Sequence, residues 1–386
     1  MAFKHNCRFE FFSEVGVFFS GDVMRGRVTL TLEEPKKCTG LELTITGGAK
    51  CQWTETYSTG NGTITIVYTG KEKYFEVTNN LLTEKQQSTI AQSKEYTVLS
   101  PGEHVFDFSA FIPAEALTSF EGIFGRVRYT AKLTLKRPGK LEFNQTQRAS
   151  FTVLRQHNLN LLDFLKQPVE FKDEKTFHAF FAKSGSMAIK VNLIQTGYVP
   201  GQYIEFKCHL KNDSKVPIME VKFYLSQVSV HKVTSPFKKQ RAVKRRLSEY
   251  NYGGLVKGQE ANVDVNLYVP AVPPTSDPNL PTILGIWYFL KIKARVTGMH
   301  KNFKTKIPIE IGTIPLMALT DSNTASALEY LDYAPPTYEE AENTARMEEK
   351  KEKKKKGEEQ EEDYEEPIFT PRYPVFQSGL EKNGLS

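Results

Sequence analysis

The sequence lacks the common signatures of metal centres, membrane spans and nucleotide-dependent enzymes. Its 386 residues hold only four cysteines, none of them in a C-x-x-C pair, which argues against a disulfide framework and against a zinc cluster. The longest apolar run, ILGIWYFL at 283–290, is far shorter than the roughly 20 residues that span a bilayer. P-loop, G-x-S-x-G, H-E-x-x-H and strand-linked G-x-G-x-x-G motifs are absent. We therefore expect no catalytic activity, no cofactor and no metal.

The N-terminal stretch MAFKHNCRFEFF also lacks the features of a secretion signal. Charged residues alternate there with aromatic residues, whereas a signal peptide has a continuous apolar segment followed by a cleavage site with small residues. Together with the few, widely spaced cysteines, this favours a reduced, cytosolic protein.

The net charge of +6 conceals an asymmetry between two parts of the chain. The residues from Pro315 onward carry 9 Lys and Arg against 17 Asp and Glu, so the preceding part is strongly basic and the end of the chain is acidic. A basic body is attracted to anionic surfaces, such as the cytoplasmic leaflet of a membrane or a phosphorylated peptide.

Before Pro315 the apolar residues recur with a period of two, which is typical of half-buried antiparallel strands. In VRYTAKLTLKR, Val127, Tyr129 and Ala131 share one face with two leucines, while Arg, Lys and Thr share the other. Five further segments alternate in this way: GRVTLTL, GLELTIT, IEFKCHL, ANVDVNLYV and FLKIKARV. In VKFYLSQVSV the phase slips after Leu225, which predicts a β-bulge. Because turn clusters such as TGNGT separate these segments, the sequence predicts β-sandwiches.

An internal repeat divides this body into two halves. FFSGDVMRGRVTL near the start matches YVPGQYIEFKCHL about 180 residues later, with Gly21 and Gly201 each just before a strand. We therefore predict an all-β fold with an N-terminal sandwich at 5–155, a joint at 156–180, a C-terminal sandwich at 181–314 and a tail at 315–386. Because Glu, Lys, Pro and small residues dominate the tail, we expect it to be disordered and to make no stable contact with the body.

The segment HKVTSPFKKQRAVKRRL is a basic stretch with two open interpretations. It is either the solvated end of a long hairpin or a patch that binds anionic lipid or phosphate. Nucleic acid fits less well, because no aromatic residues alternate with the charges as a stacking platform requires. Ser248 follows two arginines in an R-R-x-S pattern, so we expect phosphorylation there to weaken binding to an anionic surface. The cations of the stretch are Lys238, Lys239, Arg241, Lys244, Arg245 and Arg246.

The tail contains the tetrapeptide PPTY, with Pro335, Pro336 and Tyr338 as its defining residues. Paired prolines favour the extended polyproline conformation that aromatic-lined WW grooves accept. At about three residues per turn, Pro335 and Tyr338 project from similar sides and can fill neighbouring pockets. A weaker candidate, TPRYPVF, offers Pro371 and Tyr373 but lacks the first proline.

Two related sandwiches, a short joint and a tail with PPxY together resemble the arrestin superfamily, and within it the α-arrestins. The residues that carry the resemblance are SGDVMRGRV in the first half, TGYVPGQYIEFKCHLKNDS and IPIEIGTIPL in the second, and PPTY in the tail. The resemblance implies two tandem arrestin-like, immunoglobulin-like sandwiches in an adaptor without catalytic activity. It also implies that the sandwiches engage membrane-protein cargo while the tail recruits WW-domain HECT-type ubiquitin ligases, which ubiquitinate the cargo and send it to endocytosis or sorting. The implied location is cytoplasmic, peripheral at the plasma membrane and endosomes.

Two other functions stay open at this stage. The first is a trafficking or signalling scaffold that binds cargo and coat proteins without a ligase. The second is a hydrolase whose active site is assembled from distant residues. An exposed cluster of nucleophile, base and orienting acid in the structure would favour the hydrolase.

Overall fold

The computed structural model of the chain is built mainly of β-strands. It describes residues 7–317 apart from 61, 85, 88–89, 91–95, 140–142, 180–181 and 299, together with two tail segments at 336–341 and 369–376. Within this part of the chain, no helix is both long enough and apolar enough to cross a membrane. The predicted fold class, all-β with two tandem sandwiches, is confirmed.

The N-terminal sandwich packs two main sheets face to face, and their buried residues belong to an apolar cluster that continues into the C-terminal sandwich. Its strands are β1 (Cys7–Phe11), β2 (Val17–Phe19), β3 (Val23–Leu32), β4 (Lys36–Cys38), β5 (Gly40–Thr59), β6 (Gly62–Asn80), β7 (Thr97–Leu99), β8 (Gly102–Phe111), β9 (Phe120–Gly122), β10 (Gly125–Lys136) and β11 (Gln145–Leu154). One sheet has the order β1-β3-β8; the other has the order β2-β11-β10-β5-β6, with β9 paired to β10. Strands β4 and β7 form a separate pair, and residues 84, 86, 87 and 90 lie in a helical turn between β6 and β7.

The C-terminal sandwich repeats this plan with four strands facing five. Its strands are β12 (Val169–Ala179), β13 (Ala182–Leu193), β14 (Gly197–Tyr198), β15 (Tyr203–Asn212), β16 (Ile218–Val233), β17 (Lys239–Tyr252), β18 (Gln259–Tyr268), β19 (Leu284–Val296) and β20 (Phe303–Ile311). The sheets have the orders β12-β13-β15-β18 and β14-β20-β19-β16-β17. In both sandwiches a short strand runs parallel to the last long strand, β2 beside β11 and β14 beside β20.

The period-two segments form the core strands because each buries one face and exposes the other. In β10 the residues from Val127 to Leu135 alternate without a break between buried and half-buried. In β16 the alternation is interrupted where predicted, since the register with β17 shifts between Leu225 and Ser226. Strands β5 and β6 are both very long, and their last pair is Thr59 with Gly62, within the turn cluster TGNGT.

The repeat is visible in the backbone as well as in the topology. Gly21 and Gly201, the matching glycines ahead of β3 and β15, both have φ of +93°, a left-handed conformation that favours glycine.

The joint between the sandwiches is shorter than the predicted 156–180. It holds two 3-10 turns, Leu159–Leu161 and Asp163–Lys166, and β12 already belongs to the C-terminal sandwich.

Part of the predicted disordered tail is ordered against the body. Strands β21 (Thr337–Glu340) and β22 (Arg372–Val375) pair with each other, and Tyr373 is only 1% exposed. The expectation that the tail makes no stable contact with the body is therefore wrong for these two segments. The prediction failed because the apolar site that binds these two segments belongs to the body and cannot be seen in the sequence of the tail. Residues 315–317 are also described, and Leu316 is buried. Pro335 and the remaining tail residues lie outside the described part of the chain.

Candidate functional site

The paired tail strands, which we call the tail ribbon, place the PPTY tyrosine beside the second proline-tyrosine motif. Strands β21 and β22 are antiparallel, with Tyr338 opposite Pro374 and Glu340 opposite Arg372. The Ala341 N–H donates to the Pro371 carbonyl at 3.0 Å and extends the pairing. Two motifs that are 35 residues apart in the sequence, at 338 and 373, thus meet in one ribbon.

Tyr373 anchors the ribbon in a buried position between the two sandwiches. Its ring packs with Val17 and Leu154 of the N-terminal sandwich and with Ala271 of the C-terminal one. Its hydroxyl donates a hydrogen bond to the Ser119 carbonyl at 2.9 Å. Burial raises the pKa of the Tyr373 phenol well above its usual value, so it stays a neutral donor. This fully enclosed ring with a satisfied hydroxyl is typical of a tyrosine anchor.

Residues around Tyr373 fasten the strand to both sandwiches. On the N-terminal side, the Arg372 N–H donates to Thr152 Oγ1 at 3.2 Å. On the C-terminal side, the Phe376 N–H donates to the Pro200 carbonyl at 2.9 Å, and the Phe376 ring packs with Leu165 and other apolar residues near the joint. We call the body residues that contact the ribbon the tail site; they are Val17, Ser119, Thr152, Leu154, Pro200 and Ala271.

Tyr338 is held less deeply than Tyr373. Its side chain packs against the same cluster, and partial burial raises its pKa. Pro336 is half-buried. The structure therefore brings Tyr338 and Tyr373 together, but it directs both toward the body. Tyr373 and the buried Pro371 do not fit the predicted second partner-binding motif in this conformation, because the ring that a WW groove would take is enclosed.

The basic stretch at 238–246 is not one patch, because β17 divides its cations between two faces. Lys239 and Arg241 face the N-terminal sandwich, where both bind Glu55. Glu55 also accepts a hydrogen bond from Trp53 Nε1 at 3.0 Å. The hydrogen bond from Lys239, followed by that from Tyr57, lowers the pKa of Glu55 to about 2. Neither of the two interpretations left open for the stretch describes Lys239 and Arg241, because both cations contact the N-terminal sandwich.

Aromatic rings complete this contact between the sandwiches. The Arg241 guanidinium carbon lies 5.1 Å from the Trp53 ring centroid and 5.0 Å from that of Phe124. The Lys239 ammonium lies 4.7 Å from the Tyr68 ring centroid. Such distances allow cation–π attraction. We call the group of Glu55, Lys239, Arg241 and their aromatic neighbours the brace.

The other cations of the stretch have different environments. Arg245 lies close enough to Tyr373 for its charge to oppose the rise in the tyrosine pKa that burial causes. Arg246 binds Glu249, and its guanidinium carbon lies 4.6 Å from the Tyr224 ring centroid. Lys238 and Lys244 are exposed.

Ser248 is an unsuitable phosphorylation site in this conformation. It pairs with Leu225 inside the β16–β17 ladder, and its Oγ is buried without a hydrogen-bond partner. A kinase needs the hydroxyl and several flanking residues in an accessible segment, which a paired strand does not offer. The prediction that phosphorylation of Ser248 regulates binding to an anionic surface therefore does not fit this conformation.

A basic surface that the sequence analysis missed lies on the outer side of the five-stranded sheet. Lys291 faces Lys306 across β19 and β20, and Lys293 faces Lys304. Burial first, and then the charges of Lys244 and Lys306, lower the pKa of Lys291. Like charges directly opposite each other destabilise a sheet, so this arrangement favours an anionic partner. We call it the basic face; it consists of Lys244, Lys291, Lys293, Lys304 and Lys306.

A cavity between the sandwiches holds a histidine and an acid but no arranged nucleophile. The cavity has a volume of about 500 Å³. His157 Nε2 and Glu310 Oε1 lie 2.8 Å apart there. Among the described residues, no serine, threonine or cysteine side chain bonds to the His157 ring, and no group of His, Cys, Asp and Glu could hold a metal ion. Among the described residues, the cavity therefore lacks the contact between nucleophile and histidine base that a serine- or cysteine-type hydrolase uses.

Comparison with known proteins identifies the family. A model of the arrestin (or S-antigen) N-terminal domain matches residues 7–160, and a model of the arrestin C-terminal domain matches residues 183–316. The chain belongs to the arrestin family. The resemblance of its sequence to the α-arrestins, the arrestin domain-containing proteins, is confirmed.

This α-arrestin is distantly similar to several curated relatives. It is 26% identical over 305 residues to arrestin domain-containing protein 17 of Caenorhabditis elegans, a match that covers 78% of this chain and 68% of the relative. It is 25% identical over 327 residues to arrestin domain-containing protein 4 of Mus musculus, covering 82% and 73%. Arrestin domain-containing protein 1 of Rattus norvegicus is 28% identical over 218 residues, covering 56% and 48%, so this α-arrestin spans about half the length of that relative.

Proposed function

We propose that this α-arrestin is an adaptor without catalytic activity that links membrane-protein cargo to a WW-domain HECT-type ubiquitin ligase. The observation that carries the proposal is the PPTY sequence at 335–338, which follows an arrestin body of two sandwiches. Family membership supports the adaptor role, and the tetrapeptide supplies the ligase contact. The complex would act at the cytoplasmic face of the plasma membrane and endosomes, where ubiquitination sends the cargo to endocytosis or sorting.

The ligase contact is tested by titrating a synthetic peptide of residues 328–345 with an isolated WW domain of a HECT-type ligase. Tyr338→Ala removes the aromatic anchor, and hot-spot aromatics contribute about 2 kcal/mol or more, so the affinity should fall at least tenfold. Tyr333→Ala, a tyrosine in the same peptide but outside the motif, is the matched control and should bind like the wild type. Equal binding of all three peptides would contradict the ligase contact and favour a scaffold that works without a ligase.

We further propose that the basic face rests on the anionic cytoplasmic leaflet while the adaptor works. Each Lys near such a leaflet contributes about 1 kcal/mol. Lys293 faces Lys304 across β19 and β20, so each lysine has a like charge opposite it and would gain from an anionic headgroup. The contact would orient the adaptor at the membrane, where its cargo lies.

Sedimentation with vesicles that contain phosphatidylserine tests the membrane contact. The double variant Lys291→Ala, Lys293→Ala should bind these vesicles at least tenfold more weakly than the wild type, and the difference should shrink as salt rises. The matched control is Lys172→Ala, Lys190→Ala, because Glu170 pairs with both of these lysines. Equal losses in the two double variants would assign binding to net charge alone.

A further inference from the structure

We propose that β22 is an intramolecular mask for the ligase-binding peptide. While β22 occupies the tail site, it holds β21 as a strand and keeps Tyr338 out of a WW groove. The full chain should therefore recruit a WW domain only in the fraction of molecules in which β21 has left β22. This inference rests on the proposed ligase contact and concerns its regulation.

The conformation of the ribbon excludes the conformation that a WW groove binds. Thr337–Glu340 is a β-strand in register with Arg372–Val375, whereas the groove takes a proline-tyrosine peptide in the polyproline form with its ring free. The Tyr338 ring instead packs on the cluster that contains Val17, Leu154 and Tyr373. One ring cannot fill both places, so WW binding and ribbon formation compete.

The mask is held by β22 rather than by β21. In β21, Thr337, Glu339 and Glu340 are exposed, and Tyr338 is only partly buried. In β22 and the residue after it, Tyr373, Val375 and Phe376 are all buried. Strand β22 is therefore a fixed template on the body, and β21 adds to its free edge.

The template is complete only when both sandwiches contribute. The Tyr373 hydroxyl bonds to Ser119 in the N-terminal sandwich, and the Phe376 N–H bonds to Pro200 in the C-terminal one. A partner that moves one sandwich relative to the other would separate these two attachment points and release β22.

The repeated glycines show how closely the template fits. A Cβ added at Gly201 would lie 2.1 Å from the Phe376 carbonyl oxygen, whereas a Cβ at Gly21 would meet no atom within 4 Å. The backbone conformations of the two glycines match, since both have φ of +93°. The tail backbone thus occupies space over Gly201 that is open over Gly21, and a methyl group there would displace it.

The experiment compares the full chain with the 328–345 peptide in titrations with the same isolated WW domain. If the mask is closed in nine molecules of ten or more, the wild-type chain should bind at least tenfold more weakly than the peptide. Tyr373→Ala removes the anchor and should bring the affinity of the full chain to within about threefold of the peptide. Equal affinity of the wild-type chain and the peptide would overturn the mask. If the peptide itself does not bind, the proposed ligase contact fails instead.

A second pair of variants keeps the test decisive if Tyr373→Ala disturbs the sandwiches. Gly201→Ala should tighten WW binding by the full chain, because it closes the space that the Phe376 backbone needs. Gly21→Ala introduces the same left-handed strain without touching the tail and should leave WW binding unchanged. Equal tightening by both variants, or by neither, would refute the role assigned to β22.

Discussion

Replacing Arg241 tests the brace separately from the membrane contact that the sequence suggested for the same stretch. The guanidinium group lies about 5 Å from each of two ring centroids, those of Trp53 and Phe124, and each such contact is worth about 1 kcal/mol. Its ion pair with Glu55 is screened by solvent and adds little. Arg241→Ala should therefore destabilise the folded chain by about 2 kcal/mol. For domains of this size, that lowers the unfolding temperature by about 4–8 °C.

Thermal unfolding of the full chain and sedimentation with anionic vesicles, measured on the same variants, provide the test. Arg241→Lys keeps the charge but loses the planar group that stacks on the rings, so its unfolding temperature should lie between those of the wild type and Arg241→Ala. Lys244→Ala, three residues further along the strand, should weaken vesicle binding without lowering the unfolding temperature. If Arg241→Ala weakened vesicle binding as much as Lys244→Ala and left unfolding unchanged, the brace would be refuted.

Three further predictions concern buried polar groups. Ser248→Asp should lower the unfolding temperature, because it places a carboxylate where the hydroxyl is already buried and unpaired, while Ser248→Ala should be nearly neutral in the same thermal melt. Burial lowers the pKa of His231 to about 4, below the unfolded value of about 6.5. Between these two values the unfolded chain binds more protons than the folded chain, so the free energy of unfolding should fall as the pH falls through that window. The difference between the unfolding temperatures at pH 7 and pH 5 should therefore be smaller for His231→Phe than for the wild type. Asn212 is fully buried and donates to the Val216 carbonyl at 3.1 Å, so Asn212→Ala should cost about 2–3 kcal/mol in urea unfolding, and a loss below 0.5 kcal/mol would contradict its structural role.

The strands were predictable because a half-buried strand buries every second residue, so apolar and polar residues alternate in its sequence. The face that holds Tyr129 could be assigned from the alternation alone, and so could the slip after Leu225. The end of the joint could not be predicted in the same way. Strand β12 has the sequence VEFKDEKTFHA, in which charged residues outnumber apolar ones, so its membership of a sheet depends on pairing with β13.

The tail site was beyond prediction because its parts lie far apart in the sequence. Tyr373 is buried only because Val17, Leu154 and Ala271, from both sandwiches, meet at one place. The ion pair of Arg241 with Glu55 could not be predicted for the same reason, since Glu55 lies on a different hairpin about 190 residues earlier. The basic face was closer to prediction: FLKIKARV and FKTKIPIE each place lysines two residues apart, and pairing the two strands would have revealed it.

Strand β22 belongs to the same molecule as the tail site and as the strand that it holds. Its binding is therefore a unimolecular equilibrium, set by the length and stiffness of the connecting chain and not by the amount of protein. A separate inhibitor would dissociate on dilution, whereas the occupied fraction here is the same in a cell with few copies as in a cell with many. Expression then sets how many adaptors exist, and the tail independently sets what share of them can recruit a ligase.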